Sequence, residues 1–152
     1  MSIPISGVYP CYENQFLIDK TGGDGSTEGN LAPIADMESF SVSIDGNVEE
    51  WSSFSDEGWM SRLVTGKSIT ISVSGKRNVG DAGNDYIDSI ALKIGRECNS
   101  TLVWKFPSGA KLVMPCVISV TEWGSGESRN AAPLAFDAMS RGKPSFTAAS
   151  AS

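Results

Sequence analysis

Two alternating runs of residues, 40–45 and 69–74, constrain the fold of this chain more than any other feature. In each run, large apolar side chains occupy every second position, and serine, threonine or aspartate fills the positions between them. Successive side chains of a β-strand point to opposite faces, so each run predicts a strand with one buried face and one wet face. Residues 46–66 join the two runs, and the sequence predicts a long loop there.

The predicted loop combines aromatic side chains with carboxylates. Its candidate contact residues are Glu49, Glu50, Trp51, Phe54, Asp56, Glu57 and Trp59. Long ordered loops in compact domains are usually functional, and exposed aromatic residues beside charges are typical of partner surfaces. Two interpretations stay open from this stretch alone: a surface for a partner, or a loop that folds its tryptophans back onto its own domain.

The rest of the chain indicates further strands. Alternating runs at 102–106, 110–123 and 132–139 predict strands, and a turn at residues 107–109 joins the first two. Pro115 lies inside one of these runs. Proline cannot donate a backbone hydrogen bond, so the sequence predicts a sheet edge or a bulge at this position.

One segment has the apolar spacing of a helix. Ile87, Ile90, Ala91 and Ile94 form a stripe, which predicts a helix capped by Asn84 and ended at Gly95. With six or seven strands and this one helix lying across them, the expected fold class is mainly β. We expect an antiparallel β-sandwich or partly open barrel with one flanking α-helix and a long loop between two strands.

Composition limits the functions open to this chain. Its 152 residues suffice for a single domain, and its net charge of -6 would repel the phosphates of nucleic acids. The three cysteines are widely spaced, which argues against a disulfide scaffold or a zinc site and favours reduced thiols. The N-terminal residues do not resemble a secretory signal, and no apolar run has membrane-spanning length.

Neither catalysis nor a cofactor is expected. The sequence has no histidine, the usual general base, and its serines and cysteines have no evident activating partner. The glycine-rich residues 20–30 allow two interpretations: a loop with Asp19, Asp24 and Glu28 as calcium ligands, or a flexible loop without a ligand. Residues 1–10 are predicted to form an N-terminal arm of the single domain, and residues 147–152 a flexible tail.

The order of these elements resembles a known family. An acidic and aromatic segment closing at Trp59 precedes a strand ending in residues 69–73. A short helix follows, then a hairpin around Phe106-Pro107-Ser108-Gly109, a last strand and Gly142-Lys143-Pro144-Ser145. Residues 37–146 resemble in this way the major tail tube proteins of long-tailed, non-contractile phages, in which a Phe-Pro-Asn-Gly-type hairpin and a Gly-Arg-Pro-Ser-type exit occupy the same places. The family loop is often more acidic than residues 48–58, and the C-terminal immunoglobulin-like domain of some members is not seen here.

The resemblance implies a structural protein of the virion. Members of the family form hexameric rings that stack into a hollow tube around a tape measure protein, and DNA leaves through the lumen. The implied partners are further copies of the chain, the tape measure protein, and the tail terminator and tail-tip proteins. DNA would pass without specific binding, and no membrane insertion is implied. The implied location is the virion tail, and the host cytoplasm during assembly.

The resemblance also gives roles to two sets of residues. The loop with Trp51, Phe54 and Trp59 would stack one ring on the next, mobile in the free subunit and ordered by the neighbouring ring. Lumen-facing candidates are small and polar: Ser39, Ser41, Ser43, Asp45, Thr70, Ser72, Ser74, Ser119, Thr121 and Asp137. A cationic lining would bind DNA phosphates, whereas hydroxyls and acids should let DNA slide. The alternative is the wet face of an ordinary sandwich.

Two competing functions remain at this stage. A non-catalytic β-sandwich module for carbohydrate binding or host attachment would use Trp51 and Trp59 to stack on sugars. Another tail component of the same fold, such as a contractile-tail tube or a tail completion protein, would share the pattern of elements.

Overall fold

The computed structural model describes residues 7–23, 25–26 and 28–148 and folds them around one antiparallel sheet. Its eight strands are β1 (Gln15–Asp19), β2 (Leu31–Pro33), β3 (Met37–Trp51), β4 (Ser61–Lys76), β5 (Asn99–Lys105), β6 (Lys111–Trp123), β7 (Pro133–Ser140) and β8 (Ser145–Thr147). The helix α1 (Ala82–Ser89) lies between β4 and β5. The order across the sheet is β2-β1-β5-β6-β7-β4-β3, with β8 beside β6. The prediction of a mainly antiparallel β fold with a flanking helix is confirmed.

The sheet is rolled, although its backbone ladder does not close. The strands β2 and β3 stand at opposite ends of the sheet order, yet only residues 34–36 connect them. Such a connection spans about 14 Å at most, so the two ends of the sheet must lie close together. The ring of Phe16 on β1 lies 4.9 Å from the ring of Phe40 on β3, measured between centroids. Side chains therefore close the seam of a partly open barrel.

The core fills the inside of the rolled sheet. Alternate residues of the central strands point inward, and Phe136, Ile71 and Met114 are fully buried. The helix α1 covers this face with Ile87 and is followed by the buried Ile90. Each of these side chains contributes roughly 1.5–3 kcal/mol through burial of its apolar surface.

The helix lies earlier in the chain than the apolar stripe predicts. Its N-cap is Asp81, whose carboxylate accepts a hydrogen bond from the backbone N–H of Asn84 at 3.0 Å. Asn84 is instead fully buried, and its side-chain amide donates to the backbone carbonyls of Ala35 and Lys76. The helix ends at Ser89, and the chain then turns so that Ile94 is exposed rather than packed.

Pro115 lies at a local edge of the sheet, as predicted. The pairing of β7 with β6 reaches only to Cys116, and the pairing of β8 with β6 begins at Val113. Pro115 therefore occupies the gap between these two neighbours, and its carbonyl accepts a hydrogen bond from the backbone N–H of Arg141 at 2.8 Å. Proline has no backbone N–H to donate, and neither β7 nor β8 pairs with β6 at this residue to accept a hydrogen bond from one.

The two short motifs behind the family resemblance meet in space. The turn after Phe106 joins β5 to β6, with a hydrogen bond of 2.9 Å from the Phe106 N–H to the Ala110 carbonyl. The strand β8, which follows Lys143 and Pro144, pairs with the first residues of β6. The ring of Phe146 on β8 lies 5.8 Å from the ring of Phe106.

In the part of the chain that the structure describes, no helix has the length and hydrophobicity needed to cross a membrane.

Candidate assembly surfaces

A two-stranded arm extends from the sheet. Pairing between β3 and β4 continues as far as Trp51 and Ser61, but β7 accompanies β4 only from Thr70 to Lys76. Residues 44–69 therefore form a hairpin, which we call the arm, and no other strand of the described residues pairs with it. The long loop predicted at 46–66 is wrong in extent, since only residues 52–60 connect the two strands. The outer arm buries neither face, so its sequence lacks the alternation that marks a strand.

The arm exposes a large share of the apolar surface of the protein. Eight of the seventeen large apolar side chains exposed among the described residues lie on it: Ile44, Val48, Trp51, Phe54, Trp59, Met60, Leu63 and Val64. An isolated hairpin is marginally stable in water, and contiguous exposed apolar surface marks an interaction site. The arm is therefore the strongest candidate for a partner surface.

The end of the arm is a preformed turn. Residues 52–60, which we call the tip, contain a short 3-10 turn from Phe54 to Asp56. The Asp56 carboxylate accepts a hydrogen bond from the backbone N–H of Ser53 at 3.0 Å, which closes a capping box. This hydrogen bond lowers the pKa of Asp56, so the carboxylate is charged at neutral pH. Mobility of the tip in the free subunit stays a prediction.

The predicted contact residues divide between the tip and the strands of the arm. Phe54 and Trp59 are strongly exposed, at 108% and 78%, and both lie on the tip beside Glu57. On the strands, Glu50 forms an exposed ion pair with Arg62 at 2.9 Å, and such pairs contribute at most about 1 kcal/mol. Trp51 is half-exposed and pairs across the ladder with Ser61, and Glu49 pairs with Leu63.

The outer surface of the sheet carries the predicted polar residues in register. One row across β3, β4, β7 and β6 consists of Ser41, Ser72, Asp137 and Ser119. The row on one side consists of Ser43, Thr70, Met139 and Val117. The row on the other side consists of Ser39, Ser74, Ala135 and Glu122. Asp45 continues the same face toward the arm, opposite Ser68. These positions form one continuous surface, which we call the polar face.

Thr121 is displaced from the row where the sequence pattern puts it. A bulge in β6 pairs Val120 with Phe136 and Glu122 with Ala135, so Thr121 has no partner of its own on β7. Glu122 therefore joins the polar face in its place. Strict alternation cannot anticipate an inserted residue, which is why the sequence assigned this position to Thr121.

The polar face is anionic. Its three rows and Asp45 contain the carboxylates of Asp45, Asp137 and Glu122, and they contain no lysine or arginine. At the margin of the face, the Lys76 ammonium lies 3.0 Å from the Glu38 carboxylate, which neutralises it. The carboxylates and hydroxyls that the sequence pattern predicts on one face therefore lie together on one contiguous surface without lysine or arginine.

The glycine-rich loop after β1 packs on the sheet. The buried Asp19 carboxylate accepts hydrogen bonds from the Thr21 backbone N–H at 2.9 Å, the Thr21 hydroxyl at 2.6 Å and the Gly25 N–H at 3.0 Å. The Thr101 hydroxyl on β5 donates to the Gly23 carbonyl at 2.9 Å. The oxygens of Asp19 are thus engaged by protein donors. Among the described residues, no cluster of carboxylate or thiol groups could hold a metal ion. Asp24, the side chain of Glu28, residues 1–6 of the predicted N-terminal arm (1–10) and residues 149–152 of the predicted tail (147–152) lie outside the described residues.

Solved structures share this fold, while no family model and no curated protein matches the sequence. A chain in the tail of an empty gene transfer agent particle, refined with C6 helical symmetry, has a TM-score of 0.75 and 21% identity. The alignment covers 93% of this chain and 100% of that one. A chain of a native gene transfer agent virion has a TM-score of 0.70 and 18% identity, with coverage of 93% and 100%.

A third similar structure comes from the sheath–tube complex of an extracellular contractile injection system in the extended state. Its TM-score is 0.60 and its identity 15%, with coverage of 95% of this chain and 94% of that one. The fold is therefore found both in a gene transfer agent tail and in a contractile injection system. The expectation of a fold shared with proteins of phage-like tails is confirmed, whereas the link to long-tailed, non-contractile phages stays a prediction.

Proposed function

We propose that this chain is the structural subunit of a phage-like tail tube, in which hexameric rings stack into a conduit for DNA. The single observation that carries the proposal is the likeness of almost the whole chain to chains in the tail of a gene transfer agent particle. The arm adds a physical reason. The arm exposes apolar surface to water in the isolated subunit, and a neighbouring copy would cover this surface.

The free edge of β3 supports ring formation. This strand ends the sheet order, so one side of its backbone pairs with no strand in the part of the chain that the structure describes. At the other end of the order, the helix packs so closely on β2 that a Cβ at Gly83 would lie 2.4 Å from the Pro33 carbonyl oxygen. An unpaired edge is a template for another chain, and a head-to-tail contact that closes gives a ring.

The polar face is the proposed lining of the lumen. Stacked rings would carry the carboxylates of Asp45, Asp137 and Glu122 around the channel. These carboxylates repel the phosphates of DNA. Because the face has no lysine or arginine to neutralise phosphates, little counterion release would favour binding, and the DNA would slide rather than bind. The proposed partners are other copies of this chain, a tape measure protein within the lumen, and terminator and tip proteins at the ends. The protein would act in the virion tail after assembly in the host cytoplasm, without catalytic activity.

Electron microscopy of the purified, concentrated protein tests this proposal, with light scattering in parallel. We expect hollow rings or tubes. A monodisperse monomer that stays monomeric at high concentration and in the presence of tail-tip proteins, and that binds glycans in a screen, would instead indicate a carbohydrate-binding module.

Removing two aromatic side chains from the arm tests its role in assembly. Trp51→Ala with Phe54→Ala should leave a folded subunit that makes no tubes, because both side chains are half or fully exposed in the subunit. The matched control is Tyr12→Ala with Val79→Ala, which removes two exposed apolar side chains away from the arm. Tubes of normal length from the Trp51 and Phe54 variant would refute the role of the arm.

A further inference from the structure

The segment that follows α1 presents unpaired apolar and basic side chains to solvent. In residues 91–97, which we call the exit segment, Leu92 is 81% exposed and Ile94 is 84% exposed. Large apolar side chains this exposed on a short loop are typical of a surface that a partner covers. The stripe predicted from the sequence placed Ile94 against the sheet, so its exposure has no explanation within the subunit.

The exit segment is held in place at both ends. Buried Ile90 precedes it and its carbonyl accepts a hydrogen bond from the Lys93 N–H at 3.2 Å. Buried Cys98 follows it, and the Cys98 thiol donates to the Lys93 carbonyl at 3.1 Å. A loop held by these hydrogen bonds is already ordered, so it loses little backbone conformational entropy when a partner binds.

The charges of the exit segment are opposite to those of the tip. The exit segment carries Lys93 and Arg96 with one acid, Glu97, and neither cation forms an ion pair with another described residue. The tip carries Asp56 and Glu57 with no lysine or arginine between residues 52 and 60. Both surfaces also expose large apolar side chains, so they are complementary in charge and in polarity.

The two surfaces lie far apart along the strand direction. The tip precedes Ser61 at one end of β4, and α1 follows Lys76 at the other end. Cys98, which follows the exit segment, adjoins Asn99, and Asn99 lies in the same row of the sheet as Thr70 of β4, nine residue steps or about 30 Å from Ser61. The Trp123 indole donates to the Asp88 carboxylate of α1, which fixes the helix beside the last residue of β6 at this far end.

We propose that the tip of one subunit docks on the exit segment of a second copy of this chain. The proposal rests on the proposed function and identifies the surface that receives the arm in the neighbouring ring. Phe54 and Trp59 pack against Leu92 and Ile94, and Glu57 faces Arg96 or Lys93. A head-to-tail contact whose rotation does not close repeats without end, and copies joined by this contact would add along the strand direction.

Charge reversal in purified full-length protein tests the contact. Lys93→Glu with Arg96→Glu should abolish tubes, because it places two more acids against the acidic tip. Adding Glu57→Lys to this variant should restore tubes in part. Glu57 is suited to this change because it is exposed and, unlike Asp56, accepts no hydrogen bond within the tip. The matched control is Lys105→Glu with Lys143→Glu, which changes the net charge equally at two exposed cations away from α1 and the exit segment and should leave tubes intact.

A disulfide trap gives an independent measurement. In a Cys11→Ser background, Ser55→Cys and Leu92→Cys should together give a ladder of covalent multimers after oxidation of preformed tubes. Each single variant should give dimers at most. Within one subunit the two positions lie on surfaces separated by roughly 30 Å along the strand direction, so the bond cannot form internally.

The outcomes separate this inference from the proposed function. Restored tubes in the Glu57→Lys combination and a ladder in the double-cysteine protein would support the docking contact. Normal tubes from the Lys93 and Arg96 variant, without a ladder, would overturn the contact and leave the tube function standing. Absence of rings and tubes in the unmodified protein, with tail-tip proteins added, would overturn both.

Discussion

The side-chain seam between β1 and β3 gives a quantitative prediction. The rings of Phe16 and Phe40 lie 4.9 Å apart at an interplanar angle of 66°, and each also contacts Trp104, at 5.6 Å and 5.5 Å. Both phenylalanines are only partly buried, so Phe→Leu at either position should cost about 1–2 kcal/mol, less than the 3–5 kcal/mol of full truncation in a core. An edge-to-face pair contributes a further 0.5–1.5 kcal/mol or so beyond area burial.

A double-mutant cycle isolates that last contribution. Phe16→Leu, Phe40→Leu and the double variant, compared by urea unfolding with tryptophan fluorescence, should give a coupling free energy of about 1 kcal/mol. Each kcal/mol corresponds to a change of roughly 2–4 °C in Tm for a domain of this size.

A second cycle serves as the control. Phe146 lies at the far end of the aromatic row and its ring contacts Phe106, so Phe40→Leu with Phe146→Leu should be additive within about 0.5 kcal/mol. A coupling below about 0.3 kcal/mol between Phe16 and Phe40 would mean that the seam is open in solution, and the rolled sheet would then be the wrong description of the free subunit.

Two further predictions concern Asp19 and the cysteines. Burial alone would raise the pKa of Asp19, but the hydrogen bonds from Thr21, Gly25 and Gly23 outweigh burial and lower it. The stabilisation is therefore present above the unfolded pKa of about 3.9 and is lost as the pH falls through the folded value. Asp19→Asn should cost about 1.5–3 kcal/mol at pH 7, and urea unfolding at pH 3 should show a smaller difference; an equal difference at both pH values would contradict this. Burial raises the pKa of the Cys116 thiol to about 12, and Cys98 is also buried, whereas Cys11 is exposed. Ellman's reagent at pH 8 should titrate the exposed Cys11 thiol in a fast phase, well ahead of the two buried thiols, and Cys11→Ser should remove that phase; a second fast thiol in the native protein would refute it.

The parts of the fold that could be predicted from the sequence are those with one face in the core. The inner parts of β3 and β4 alternate because Val73 and Ile71 face inward and Ser72 faces outward. The outer arm could not be predicted as strand, because Val48 and Leu63 lie on a ribbon exposed on both sides. Periodicity reports burial, and where nothing is buried it carries no signal.

The helix was misplaced because capping residues are ambiguous in a polar stretch. Asp81 and Asn84 can both cap a helix, and only the folded chain shows that Asn84 is needed inside. Its side-chain oxygen accepts a hydrogen bond from the Arg77 guanidinium at 2.8 Å, while its amide reaches the Lys76 carbonyl. The polar rows on the outer surface of the sheet followed from alternation, but the bulge that displaces Thr121 did not.

The continuity of the arm with the sheet has a mechanical consequence. A docked arm is where tension enters the subunit, and both of its strands run without a break into the body of the sheet. The ladder between β4 and β7, from Thr70 to Lys76, carries that load. Its hydrogen bonds are perpendicular to the strands, so a pull along the arm strains them all together in shear instead of opening them one at a time. A tube built from such subunits would resist stretching along its axis far better than peeling at its rim.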